Sequence, residues 1–305
     1  MDDLSIDRES GFMETKTGQI FPGKINSLGI KCLVKIYTQK TLEHIPLRQL
    51  KEYEQTVLAL GYMESDALGR HNARVYGLLS HDGCRYLVFE YLGEMLLKEY
   101  LFKRKTFLPQ GQVMLIAFSV LSALRVYAEM RFVHRGINLL NIFMIDSRCV
   151  LGPPEPFMEE DVYEAAGKIL NYKAPESIEK GVYSLQTDLW SYGSLLYHAI
   201  YFSMTDEDDS LGKHTIGRRN SFEVQNSFAA LEKMSETLQD LTLLDIARAC
   251  MNKIPERRPP APQIYSASVD VYNVGILRAA RPRGQQAHTG GQGWHPRGQV
   301  SGREA

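Results

Sequence analysis

The residues able to do chemistry in this chain fall into a few short constellations. Lys35 stands among apolar neighbours in Val34-Lys35-Ile36. His134-Arg135-Gly136-Ile137-Asn138-Leu139-Leu140-Asn141 gathers a base, a cation and two amides within eight residues, and Glu155 is a carboxylate set among Pro153, Pro154 and Pro156, which stiffen its loop. A turn containing Gly18, in Thr17-Gly18-Gln19-Ile20-Phe21-Pro22-Gly23, precedes Lys35. The four cysteines, Cys32, Cys84, Cys149 and Cys250, are scattered with no CxxC or Cys/His cluster. That spacing argues against zinc and against a disulfide-built domain, so no metal site is expected.

Bulk properties narrow the classes further. A net charge of -1 over 305 residues gives no sign of nucleic-acid or acidic-membrane binding. The opening MDDLSIDRES is acidic and polar, unlike a signal peptide. The longest apolar stretch, Val113 to Leu124, contains Ser119 and Ser122 and is shorter than the roughly 20 residues a spanning helix needs. The expectation is a cytoplasmic protein with no membrane span.

These groups need a scaffold, and the pattern supplies one in two parts. Ile30 to Tyr37 and Arg85 to Glu90 are runs of strand-type residues. Between them Leu47, Leu50, Glu54, Val57, Leu58 and Leu60 suggest a helix, with Pro46 suited to its first turn. Val113, Ile116, Ala117, Val120, Leu121 and Leu124 form one helical stripe, which reads as core. Thr187 to Ile200 and Leu241 to Met251 read as further helices. Strands first and helices after imply an α+β architecture in two lobes, a small β-rich N-lobe and a larger helical C-lobe. From Arg278 the sequence has five arginines, one glutamate and almost no large apolar residues, so it is expected to be disordered.

The motifs then resemble those of protein kinases. HRGINLLNIF, His134 to Phe143, is similar to the catalytic loop H-R-D-x-x-x-x-N. Ala174-Pro175-Glu176 is similar to A-P-E, Asp188-Leu189-Trp190-Ser191-Tyr192-Gly193 to D-x-W-S-x-G, and Pro255-Glu256-Arg257-Arg258-Pro259 to P-E-x-R-P. The resemblance covers about residues 10 to 268 and leans weakly towards tyrosine kinases. It implies that Arg258 pairs with Glu176, that His134 and Arg135 are structural props and that Asp188 braces the catalytic-loop backbone. It further implies that Lys35 holds nucleotide phosphates, with Glu54 its first candidate partner and Glu52 the second. Glu90-Tyr91-Leu92 would be the adenine-binding hinge behind a large Phe89, with Gly18 and Ile20 in the glycine-rich loop and Asn141 a metal ligand if any is retained. The organisation that follows is an N-terminal extension (1–10), N-lobe and hinge (11–92), C-lobe (93–268) and a basic tail (269–305).

Three departures from the family pattern bear on function. Gly136 stands where kinases carry the aspartate that orients and deprotonates the substrate hydroxyl, a contribution of roughly 10²–10⁴-fold in rate. An ungapped reading puts Pro154 at the aspartate of the magnesium-binding D-F-G, with Asp146 and Asp161 several residues off on either side. Met13 and Thr15 stand where the first two loop glycines would be, which weakens the grip on a phosphate. The resulting expectation is a catalytically inactive kinase-like domain, a pseudokinase acting as a signalling scaffold or allosteric regulator of protein partners, an active kinase being one candidate. No cofactor is required, ATP stays an optional ligand, and magnesium has lost its anchor. Two other readings stay open: a weak, atypical phosphotransferase in which Glu155 or Asp146 substitutes for a lost aspartate, and a degenerate or mis-spliced kinase product. Tyr163 and Tyr172 are candidate phosphorylation sites.

Overall fold

The structure is a computed structural model, and it describes residues 2–11, 13–15, 17–43, 45–63, 69–93, 95–103, 108–145, 148–156, 172–204 and 241–266. Asp146, Asp161, Tyr163 and the tail from 269 onward lie outside these residues.

Alternation of burial builds the N-terminal sheet. Strands β1 (Leu4–Ile6), β2 (Met13–Glu14), β3 (Gln19–Ile25), β4 (Ile30–Tyr37), β5 (Val75–His81) and β6 (Cys84–Glu90) form one antiparallel sheet in the order β1-β3-β4-β6-β5, with β2 also paired to β3. β1 belongs to the stretch read from sequence as an extension, and it adds an edge strand to this sheet. Along β4, Leu33, Lys35 and Tyr37 share one face because strand side chains alternate, and all three are buried. A short helix, α1 (Gln39–Glu43), leads to α2 (Leu47–Gly61), whose buried side is Tyr53, Thr56, Val57 and Leu60. Tyr53, Val57 and Leu60 join Leu33, Tyr37, Leu87 and Phe89 in a single apolar cluster. The helix therefore packs on the face of the sheet that carries Lys35.

Helices dominate the rest of the chain. α3 (Leu97–Lys103) and α4 (Gln110–Met130) precede a two-stranded hairpin, β7 (Ile142–Ile145) with β8 (Arg148–Leu151). α5 (Pro175–Lys180), α6 (Leu185–Met204) and α7 (Leu241–Cys250) follow. α4 is long and apolar enough to cross a membrane, but Val113, Ile116, Val120, Leu121 and Leu124 are buried in the helical core with Trp190, Leu195 and Leu244. A central helix of a globular core has this composition for packing reasons. The order β-sheet, then helices with a hairpin between, is the two-lobed α+β arrangement expected from the pattern. The loop before the hairpin, residues 131–141, carries His134 and Asn141, and the segment after the hairpin brings Glu155 to Lys35 on the sheet.

Candidate functional site

Glu155, not Glu54, is the partner of Lys35. The Lys35 ammonium donates to Glu155 Oε1, and both side chains are almost wholly buried. The other carboxylate oxygen accepts from Thr17 Oγ1 at 2.8 Å and from the Tyr37 hydroxyl at 3.4 Å. Tyr53 on α2 in turn donates its hydroxyl to Tyr37 at 3.2 Å. One carboxylate thus receives a strand β4 cation, a strand β4 phenol and the hydroxyl of the turn before β3. Burial pulls the Lys35 pKa down and the Glu155 charge opposes that pull, while burial and the same charge push Tyr37 well above the usual phenol value.

The two sequence candidates for the Lys35 partner have gone elsewhere. Glu54 lies towards the edge of the sheet with Arg85, 3.3 Å away and only partly buried. Glu52 accepts from Arg135 Nη2 at 3.0 Å and from Arg48 at 3.1 Å. The reason is helical phase: Tyr53 fills the buried side of α2 that faces β4, so its neighbours Glu52 and Glu54 diverge to either side of it. Sequence reasoning passed over Thr17, Tyr37 and Tyr53. Tyr37 carries a signal in retrospect, being two residues from Lys35 on one strand face.

Gly18 has a packing role. A Cβ there would lie 2.2 Å from the Ile36 carbonyl oxygen, so the turn can sit on β4 only with glycine. The turn is tied by Thr15 N–H to the Gly18 carbonyl at 3.0 Å and by Gly18 N–H to Thr15 Oγ1 at 3.2 Å. Ile20, Leu33, Phe89 and Leu92 share one buried cluster and are each no more than 1% exposed, which leaves no water-sized gap against them. Phe89 meets the Phe143 ring edge to face at 6.2 Å. Glu90 ends β6 with its N–H on the Arg74 carbonyl at 2.8 Å.

The loop before the hairpin is held by its own hydrogen bonds. Asp188 accepts from the backbone N–H of His134 at 2.7 Å and of Arg135 at 2.9 Å. These bonds hold Arg135 in a left-handed backbone conformation, φ 63°, that a non-glycine residue rarely takes. Burial pushes Asp188 up to about 7, against the two N–H donors and the nearby Arg135 charge. His134 donates Nε2–H to the Gly152 carbonyl at 2.9 Å and accepts from Gly136 N–H at Nδ1, 3.1 Å, which defines a neutral ring. Burial accordingly lowers its pKa to about 4. Asn141 spends its amide on the Gly136 carbonyl at 3.0 Å and the Pro153 carbonyl at 2.8 Å. Pro154 contributes no ligand atom, and the Glu155 N–H is bonded to the His134 carbonyl at 2.9 Å.

Farther away, Arg258 forms a bidentate pair with Glu176, at 2.5 and 2.9 Å. The same guanidinium donates to the carbonyls of Gln186 and Asn252, both at 2.8 Å, and lies over the Trp190 ring. Tyr172, read from sequence as a phosphorylation candidate, is 1% exposed and stacked near His198, so a kinase cannot reach its hydroxyl in this arrangement.

The side chains that would meet the phosphates of ATP are engaged with other groups of the protein. The Lys35 ammonium that would meet them is held by Glu155 rather than by a carboxylate of α2. Gly136 supplies no carboxylate, Asn141 is committed to backbone carbonyls, and Ile20, Phe89 and Leu92 belong to one buried cluster.

Comparison with known proteins supplies the ancestry. The chain is 22% identical over 201 residues to cytoplasmic tyrosine-protein kinase BMX of Homo sapiens, covering 64% of this chain and 28% of that protein. It is 25% identical over 173 residues to tyrosine-protein kinase JAK3 of Rattus norvegicus, covering 54% and 16%. It is 28% identical over 194 residues to inactive tyrosine-protein kinase kin-32 of Caenorhabditis elegans, covering 61% and 21%. The matched region thus spans less than a third of the length of these relatives. The profile of the family described as "Protein tyrosine and serine/threonine kinase" matches residues 9–267, the whole two-lobed region, and this chain belongs to that family.

Proposed function

We propose that this chain is a catalytically inactive protein kinase-like domain, a pseudokinase that acts in the cytoplasm through protein contacts as a scaffold or an allosteric partner in signalling. The observation that carries this reading is the Lys35–Glu155 pair beneath Thr17, beside a glycine at the position of the catalytic aspartate. Family membership makes ATP the expected nucleotide, and Glu155 competes with its phosphates for the Lys35 ammonium. The kinship to a nematode kinase that is itself named inactive agrees with this reading. What remains is a two-lobed domain whose surface and lobe arrangement can be read by a partner.

A weak phosphotransferase with Glu155 as a substitute aspartate has less support, because Glu155 is held by Lys35, Thr17 and Tyr37 rather than free to bind metal. The test is incubation of the full chain with Mg²⁺ and labelled ATP, with and without generic peptide substrates, beside Lys35→Met. The expected result is no phosphate incorporation above the Lys35→Met background. Incorporation that depends on magnesium and disappears in Lys35→Met would refute inactivity.

A further inference from the structure

Gly136 and Glu155 are 19 residues apart in sequence and meet in the cleft. A Cβ built on Gly136 would stand 2.5 Å from Glu155 Cγ, 3.2 Å from Glu155 Cβ and 2.9 Å from Asn141 Nδ2. Real Cβ atoms do not approach carbon that closely, and neither neighbour is a loose side chain. Glu155 is tethered through both carboxylate oxygens and Asn141 by two backbone carbonyls. Any side chain at 136, aspartate included, therefore conflicts with Glu155 in its observed place.

The segment carrying Glu155 also reaches α2. Gln49 donates from its side-chain amide to the Pro156 carbonyl at 3.1 Å, and Tyr53 reaches Glu155 through Tyr37. In this chain α2 is thus connected to the cleft through residues 155 and 156, together with the Glu52–Arg135 pair.

We infer that Glu155 is a built-in anionic plug that occupies the place of a ligand's phosphates on Lys35, that Gly136 is the space made for it, and that the setting of α2 depends on it. This deepens the reading of an inactive cleft and rests on it. The two missing acids then become one feature, since the glycine at 136 is what the glutamate at 155 requires. A splicing accident near residue 152 gives no account of a space-matched glycine upstream, whereas a plug does.

The test is a thermal-unfolding cycle on the full chain with Gly136→Ala, Glu155→Ala and the double variant. Overpacking by one methyl should lower the melting temperature of the wild type by about 5 °C, and by about half as much when Glu155 is already alanine, because the contact with Asn141 remains. If Gly136→Ala fails to fold, recovery of a folded double variant supports the plug. Equal loss in both backgrounds, or a double variant that fails to fold where Glu155→Ala alone folds, overturns the match by placing the conflict at Asn141 alone. Hydrogen exchange on the same proteins reads the second part. Amides of residues 47–61 should exchange about tenfold faster in Glu155→Ala than in wild type, a difference of one decade in local opening. Unchanged exchange there would show that α2 does not depend on Glu155. Phosphotransfer by the wild type would refute inactivity without touching the cycle, which reports packing.

Discussion

Two buried ion pairs each join segments far apart in the chain, and they teach different lessons. Arg258 and Glu176, 82 residues apart, meet in the helical lobe in the pairing that the kinase resemblance implies. Lys35 and Glu155, 120 residues apart, meet in the cleft in a pairing that the resemblance does not imply. The first has extra donors and acceptors around it, two backbone carbonyls and the Trp190 face, so the guanidinium has a defined place whatever the cleft does. The second borrows its anion from a loop that other kinases use for metal. Where a charge serves packing, family pattern is a good guide to its partner. Where a charge belongs to the cleft, its partner depends on which carboxylate the fold brings within reach.

Three experiments would break or sharpen that contrast. The largest effect is expected from Arg258→Ala, which strands the mostly buried Glu176 carboxylate. Removal of one partner from such a pair costs on the order of 3–5 kcal/mol in urea unfolding. A loss below about 1 kcal/mol would mean that the helical-lobe pair is no firmer than a surface contact.

A smaller effect tests the loop between the two regions through pH. His134 is held neutral in the fold, with its pKa lowered to about 4 from 6.5, so the stability it contributes is present above pH 6.5 and lost as pH falls towards 4. Asp188 has the opposite sign. Its folded pKa is raised to about 7 from 3.8, so its contribution is present below 3.8 and lost as pH rises through 7. Between pH 4 and 6.5 the two slopes oppose each other. His134→Gln removes the first, and its stability difference from wild type should shift in the variant's favour by about 2 kcal/mol between pH 7 and pH 5. A difference that does not move with pH would mean that the ring is not held neutral.

The smallest effect is expected at the residue that sequence favoured. Glu54 meets Arg85 at a partly exposed site, so Glu54→Gln should cost less than about 1 kcal/mol. A cost of several kcal/mol, with faster exchange across α2, would instead restore Glu54 as the partner of Lys35.

Much of the scaffold was legible in the chain. Strands over 30–37 and near 85–90, the α2 stripe and the long helix over 113–124 all followed from periodicity, which is a local property. The edge strand β1 was missed because three residues paired with a distant strand carry almost no local signal. Among candidate site residues, His134, Asn141 and Asp188 do come together around the loop before the hairpin, while Glu54 does not join them. Tyr172 read as a phosphorylation candidate because an aromatic outside a periodic stripe carries nothing local to report its burial.

By itself the sequence determined the family, the order of the two lobes and the glycine after His134-Arg135, because motif order and residue identity are written along the chain. Only the tertiary structure decided where the orphaned charges went. Lys35 could pair with any carboxylate that folding brought within reach, and the choice of Glu155 rests on Tyr53 filling the face of α2, on Gly18 letting its turn lie on β4 and on the space left open at Gly136. Those are steric facts between residues tens to more than a hundred positions apart, and no local pattern encodes them.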